Sequence, residues 1–92
     1  MEDCMYEASK ILSRAERLQG EARIVFQYFL DNISVGDLRA IQELRRKGVE
    51  DPLSVMIRLV LDGLLEKKGD VFNLPKPVRC LIEEKGPIRL RS

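Results

Sequence analysis

From Ser34 to Leu74 the chain sets two capped helical patterns and a hairpin pattern in unbroken succession. Ser34-Val35-Gly36-Asp37 has capping-box spacing, in which a serine hydroxyl accepts a backbone N–H three residues on while an acidic side chain reaches back. A helix is expected to begin there. Leu38, Ile41 and Leu44 form its inner side, Arg39, Gln42, Glu43, Arg45 and Arg46 look outward, and Lys47-Gly48 supplies a basic, left-handed end. Asp51-Pro52 is a second start signal, because the carboxylate caps free N–H groups and proline suits the first helical position. The more apolar helix that follows is predicted to end at Asp62-Gly63. Leu64-Leu65-Glu66-Lys67, Lys68-Gly69-Asp70 and Val71-Phe72-Asn73-Leu74 then read as strand, turn and strand, stopped by Pro75. The fold class is therefore mainly α with a small β-hairpin.

The flanks add helices. Met5, Ala8, Ile11, Leu12, Ala15 and Leu18 recur at three- and four-residue spacings, which predicts an amphipathic helix from about Asp3 to Leu18. Gln19-Gly20 interrupts the pattern, and Ala22, Val25, Phe26, Phe29 and Leu30 give a bulkier stripe to a helix over 23–31. After Pro75-Lys76-Pro77, the spacing of Val78, Leu81 and Ile82 predicts a short helix to Glu84, closed by Gly86-Pro87, with a basic and apolar tail over 88–92. Ninety-two residues provide one core, so the chain reads as a single domain: N-terminal helix 1–20, central unit 21–75, C-terminal helix and tail 76–92. Met5, Ala8, Leu12 and Ala15 occupy a and d positions of two short heptads. That helix either pairs with a copy, giving a homodimer through Met5 and Leu12, or folds back on its own domain.

Sixteen basic and fifteen acidic residues leave a net charge of +1, so the chain as a whole has no strong field to attract DNA. No apolar run approaches the roughly 18 residues that a membrane helix requires, and a cytoplasmic protein is expected. Cys4 and Cys80 lie far apart and no histidine is present, which removes the usual zinc and Cys-His constellations. Their expected role is structural or incidental, and a disulfide between the N-terminal helix and the C-terminal segment is the other reading. The chain has no glycine-rich phosphate loop and no nucleophile with a recognisable base, and acid pairs such as Glu50-Asp51 are adjacent residues that diverge. A non-catalytic binding module without cofactor or metal is expected.

Residues 22–75 resemble a winged helix-turn-helix domain of the kind common in small archaeal and bacterial transcription regulators. The run Ile57-Arg58-Leu59-Val60-Leu61-Asp62-Gly63-Leu64-Leu65-Glu66 is similar to the end of that family's recognition helix, where a leucine-rich turn and Gly-Leu lead into the wing. The resemblance implies that Ser54, Ile57, Arg58 and Leu61 face outward, while Leu53, Met56, Leu59, Val60 and Leu64 pack inward. It further implies binding of double-stranded DNA in a regulatory or chromatin-associated role. Arg39, Arg45, Arg46, Lys47, Lys67 and Lys68, together with Arg79, Arg89 and Arg91 near the C-terminus, would then contact mainly phosphates on either side of a groove, with Ser54 and Arg58 on the recognition helix.

The outward set departs from that pattern, since only Ser54 and Arg58 suit base edges, and Ile57 with Leu61 forms an apolar pair one turn apart. Either another part of the chain such as the N-terminal helix or the 76–85 helix covers this pair, or it meets a protein partner, or it adds a minor contact to DNA, for example against thymine methyls. Winged helices also dock on proteins. The alternative function is therefore a small accessory subunit of a larger replication/polymerase or transcription complex, with Ile57 and Leu61 at the interface.

Overall fold

The computed structural model describes residues 4–91, in which five helices pack with a three-stranded antiparallel sheet. In chain order these are α1 (Met5–Ala15), α2 (Gly20–Asn32), β1 (Ser34–Gly36), α3 (Asp37–Arg46), α4 (Pro52–Leu61), β2 (Glu66–Lys68), β3 (Val71–Asn73) and α5 (Lys76–Lys85). The expected mainly α architecture with a small hairpin is present. The expected start of the first helix at Asp3 lies outside the described residues.

The capping box at Ser34 does not form. Ser34–Gly36 is a third strand, paired with β3 in the register Ser34↔Asn73, Val35↔Phe72 and Gly36↔Val71. Its cause is the residue before it: Ile33 holds φ 70° and ψ −59°, an unusual conformation for a β-branched side chain. The Ile33 N–H closes α2 on the Phe29 carbonyl at 2.7 Å, and its own carbonyl accepts the Leu74 N–H at 3.0 Å. The chain thus leaves α2 in a sharp reversal that delivers Ser34 to the sheet, where its hydroxyl donates to Asn73 Oδ1.

Helix α3 starts three residues later than expected. Asp37 bonds the Leu38 N–H through Oδ1 at 2.7 Å, and donates its own N–H to the Asp70 carbonyl at 2.7 Å. The inner side of α3 is Ala40 and Leu44, both wholly buried, with Ile41 half-buried. Leu38, two positions from Ala40 and so about 200° around the helix, is 73% exposed rather than inside.

Helix α4 begins as its sequence dictates: Asp51 accepts the Ser54 N–H at 3.3 Å and Pro52 fills the first position. Helices α3 and α4 end alike. In each, a glycine at positive φ (Gly48, 95°; Gly63, 77°) lets the next N–H return to the last turn, Val49 to Leu44 and Leu64 to Leu59. The valine and leucine so placed are buried, which couples helix termination to core filling. Strands β2 and β3 pair across Gly69-Asp70 in the register Lys68↔Val71.

Phe26, Phe29, Phe72, Leu44, Met56 and Leu59 lie at the centre of the core, with the Phe29 and Phe72 rings 6.4 Å apart. Helix α1 lies along α5 and buries Ala8 and Ala15 completely, with Ile11 and Leu12 half-buried against the core. The helix expected either to pair with a copy or to fold back does the latter. Cys4 and Cys80 are joined in a disulfide with their Cα atoms 6.1 Å apart, the second of the two readings of this pair. The tail is also tied down: the Gln27 amide donates to the Ile88 carbonyl at 3.3 Å and accepts the Leu90 N–H at 2.7 Å, and the Arg91 N–H reaches the Glu16 carboxylate at 3.1 Å.

A cross-link over 76 positions removes much loop-closure entropy from the unfolded chain, a stabilisation of about 4 kcal/mol in the chain-entropy description. The paired change Cys4→Ser and Cys80→Ser is therefore expected to lower unfolding free energy by about 2–4 kcal/mol in denaturant titrations. Reductant should lower the wild type by the same amount and leave the double variant unmoved.

Candidate functional site

The surface of α4 divides in two. Pro52, Met56 and Leu59 are buried against α2 and α3, Val55 and Val60 are half-buried, and the remaining side looks into solvent. On that side Leu53, Ile57 and Leu61 follow one another at four-residue spacing, 42%, 37% and 77% exposed. Ile57 and Leu61 are outward as expected, and neither α1 nor α5 covers them. Leu53, expected to pack inward, belongs with them, because the inward stripe starts at Pro52 and leaves the next position about 100° away. The four-residue spacing from Leu53 to Ile57 was the signal in the sequence.

Beside this stripe, Leu18 and Ala22 face Ser54, Val55, Arg58 and Asp62 across a shallow cavity of about 350 Å³. Fully burying a leucine or isoleucine yields about 1.5–3 kcal/mol, so a partner that covers the stripe gains several kcal/mol before ordering costs. Two polar members of the helix are already engaged. The Ser54 hydroxyl donates to Asp51 Oδ2 at 2.9 Å, and Arg58 pairs with Asp62 at 3.7 Å.

Of the cations expected to touch phosphates, some are engaged within the chain and others are exposed. On α3, Arg39 Nε donates to Glu43 Oε2 at 3.1 Å, and the Arg46 charge also favours the ionised Glu43 carboxylate. Arg45, Arg46 and Lys47 are exposed at the end of that helix, where positive charge suits its dipole. Lys67 turns back on its own hairpin, donating to the Gly69 carbonyl at 2.6 Å and lying 5.8 Å from the Phe72 ring centre. Lys68 is exposed on β2, and Arg79 pairs with Glu66 at 3.5 Å. Met5 is 41% exposed on α1, while Leu12 is packed against the core, so the two candidate dimer contacts do not form one exposed stripe.

Among the described residues one trio, Cys4, Cys80 and Glu84, brings metal-ligand atoms within 4.8 Å of one another. Two of the three atoms are the disulfide sulfurs, which cannot act as thiolate ligands while the bond is intact.

One electrostatic coupling, between α2 and α3, is structural. Tyr28, buried in α2, donates its hydroxyl to Glu43 Oε1. Burial and the adjoining carboxylate push the Tyr28 phenol up, while the Tyr28 and Arg39 hydrogen bonds hold the Glu43 carboxyl below its ordinary value. The arrangement locks α3 to α2.

A small helical module thus presents one helix with an exposed apolar side, and cations of which some are paired and others exposed. The family model described as PolB1 Binding Protein 2 matches residues 19–80, from the start of α2 into α5, and the chain belongs to that family. No curated protein matches the chain. No described helix is long and apolar enough to cross a membrane.

A pH dependence follows from the Glu43 carboxylate. An unfolded glutamate titrates near about 4.3 and the folded one lower, so its contribution is complete above that value and lost as pH falls through the folded pKa. In thermal melts the wild type should be more stable than Glu43→Gln at neutral pH, and the gap should close as pH is taken toward about 2.5.

Proposed function

We propose that this protein is a non-catalytic accessory subunit that docks on PolB1 through the exposed side of α4. The observation that carries this reading is the solvent-facing stripe Leu53, Ile57 and Leu61, in a chain whose family is described by its binding to PolB1. The order helix, strand, helix, helix, hairpin from α2 to β3 supports a winged-helix reading. Here the helix that would enter a DNA groove offers leucine and isoleucine to a protein instead.

Charge argues the same way. Recognition of DNA through α3, α4 and the hairpin needs several free cations on one side. In this chain Arg39 and Arg58 are engaged by acids on their own helices, Lys67 is turned onto its hairpin, and the net charge is +1. An apolar stripe of three large side chains, by contrast, matches the core of a docking interface.

Calorimetric titration against purified PolB1 tests the proposal. Ile57→Asp with Leu61→Asp should weaken binding at least about tenfold, since buried interface anchors commonly contribute more than about 1.4 kcal/mol. Circular dichroism should remain unchanged, because both side chains already face water. Charge removal at Arg45, Arg46 and Lys68 should alter PolB1 affinity far less. If the α4 variant binds PolB1 as the wild type does, while a low-salt mobility shift shows DNA bound through Arg45, Arg46 and Lys68, the docking assignment fails.

A further inference from the structure

A strongly cationic concavity lies away from α4, between α2 and the C-terminal tail. A cleft of about 400 Å³ is lined there by Arg23, Lys47, Arg89 and Arg91, and it continues past Gly20 and Arg23 into a second depression bordered by Arg17. Five cations thus surround one trough in a chain whose net charge is +1. Two carboxylates share it, Glu16 and Asp31. Glu16 is engaged by Arg23 at 3.4 Å and by the Arg91 N–H, and Asp31 accepts the Gln27 amide at 3.0 Å. Five cations against two carboxylates leave the trough positive, and Arg17 and Arg89 are exposed with no ion pair among the described residues.

We infer that this trough holds an extended, acidic, leucine- or isoleucine-bearing segment of a protein partner, at a place separate from the α4 stripe. Charge complementarity selects the sign, and arginine offers planar forks that match carboxylates. The walls also carry apolar surface: Ile24 is 40% exposed and Leu90 is half-buried beside it. A purely ionic ligand would leave these unused, whereas a peptide with alternating acidic and aliphatic side chains engages both. Single-stranded nucleic acid fits less well, because its bases need exposed aromatic faces on which to stack. Tyr28, the aromatic residue lining the trough, is 3% exposed and its hydroxyl is committed to Glu43.

One wall of the trough is the tail itself, held by the paired Gln27 bonds on either side of Arg89. The Arg89 side chain is therefore projected from a fixed backbone rather than from a loose end, which lowers the ordering cost of binding.

Fluorescence anisotropy on the full chain tests this with a labelled peptide of repeating Asp-Glu-Leu-Glu. Binding in the micromolar range at about 50 mM salt is expected, falling at least about tenfold in Arg17→Glu/Arg89→Glu and again at about 500 mM salt. Ile24→Ser should weaken the peptide severalfold, a loss that a merely ionic attraction to polyanions would not show. Circular dichroism and thermal melts establish that each variant is folded. The inference is overturned if the peptide does not bind, if the folded double reversal or Ile24→Ser leaves its affinity unchanged, or if labelled oligothymidylate binds more tightly through the same arginines. PolB1 binding lost on Ile57→Asp/Leu61→Asp but retained on Arg17→Glu/Arg89→Glu separates this site from the α4 proposal.

Discussion

The burial of Phe72 against Phe29 is the contact on which the sheet depends. Three strands of three residues each have too little hydrogen bonding and too little surface to persist alone. Phe72 is the central residue of the central strand and is wholly buried, so one side chain fixes which side of the sheet faces the helices. A slip of one residue would turn Phe72 to solvent and Val71 inward. The pairing of Val35 with Phe72 then carries the constraint to β1, and the Asp37–Asp70 backbone bond carries it to the start of α3. Helix α3 is in turn locked to α2 through Glu43 and Tyr28.

Much of this was legible in the residues. The Asp51-Pro52 start, the Gly48 and Gly63 stops and a hairpin, expected over 64–74 and formed by strands 66–68 and 71–73, follow from local chemistry that the tertiary structure respects. The strand at Ser34 was not legible, because Ser-x-x-Asp states only what a side chain can cap, not whether the backbone before it will turn toward a sheet. Ile33 decided that, and nothing in a lone isoleucine announces a positive φ. The helix faces were readable only to within one position. Leu38 and Leu53 were assigned inward as leucines usually are, but the start of α3 and the Pro52 stripe of α4 set the phase, and both fall in solvent.

Resemblance to a DNA-binding architecture carried the element order well and the chemistry poorly. Fold sets where a helix can present side chains, whereas the side chains decide to whom. On α4 those side chains are aliphatic. Some of the cations are taken up in short internal pairs, Arg45, Arg46 and Lys68 stay exposed, and others line a trough on α2 that sequence spacing could not reveal, since Arg89 joins Arg23 and Lys47 there only when the tail is laid along the second helix. The docking sites proposed for α4 and for this trough draw on different residues and on different forces, one mainly dehydration and the other mainly charge.

The disulfide between Cys4 and Cys80 has a consequence for how the protein can be taken apart. Residues 4–80, and with them all three strands and most of the helical core, lie inside one covalent ring. A motor that draws polypeptide through a narrow pore would meet the ring at Cys4 from one side and at Cys80 from the other. From there it would have to pull two strands abreast or stop until the sulfurs are reduced. The cross-link therefore makes chemical reduction, rather than mechanical force alone, the step that opens the chain to complete translocation.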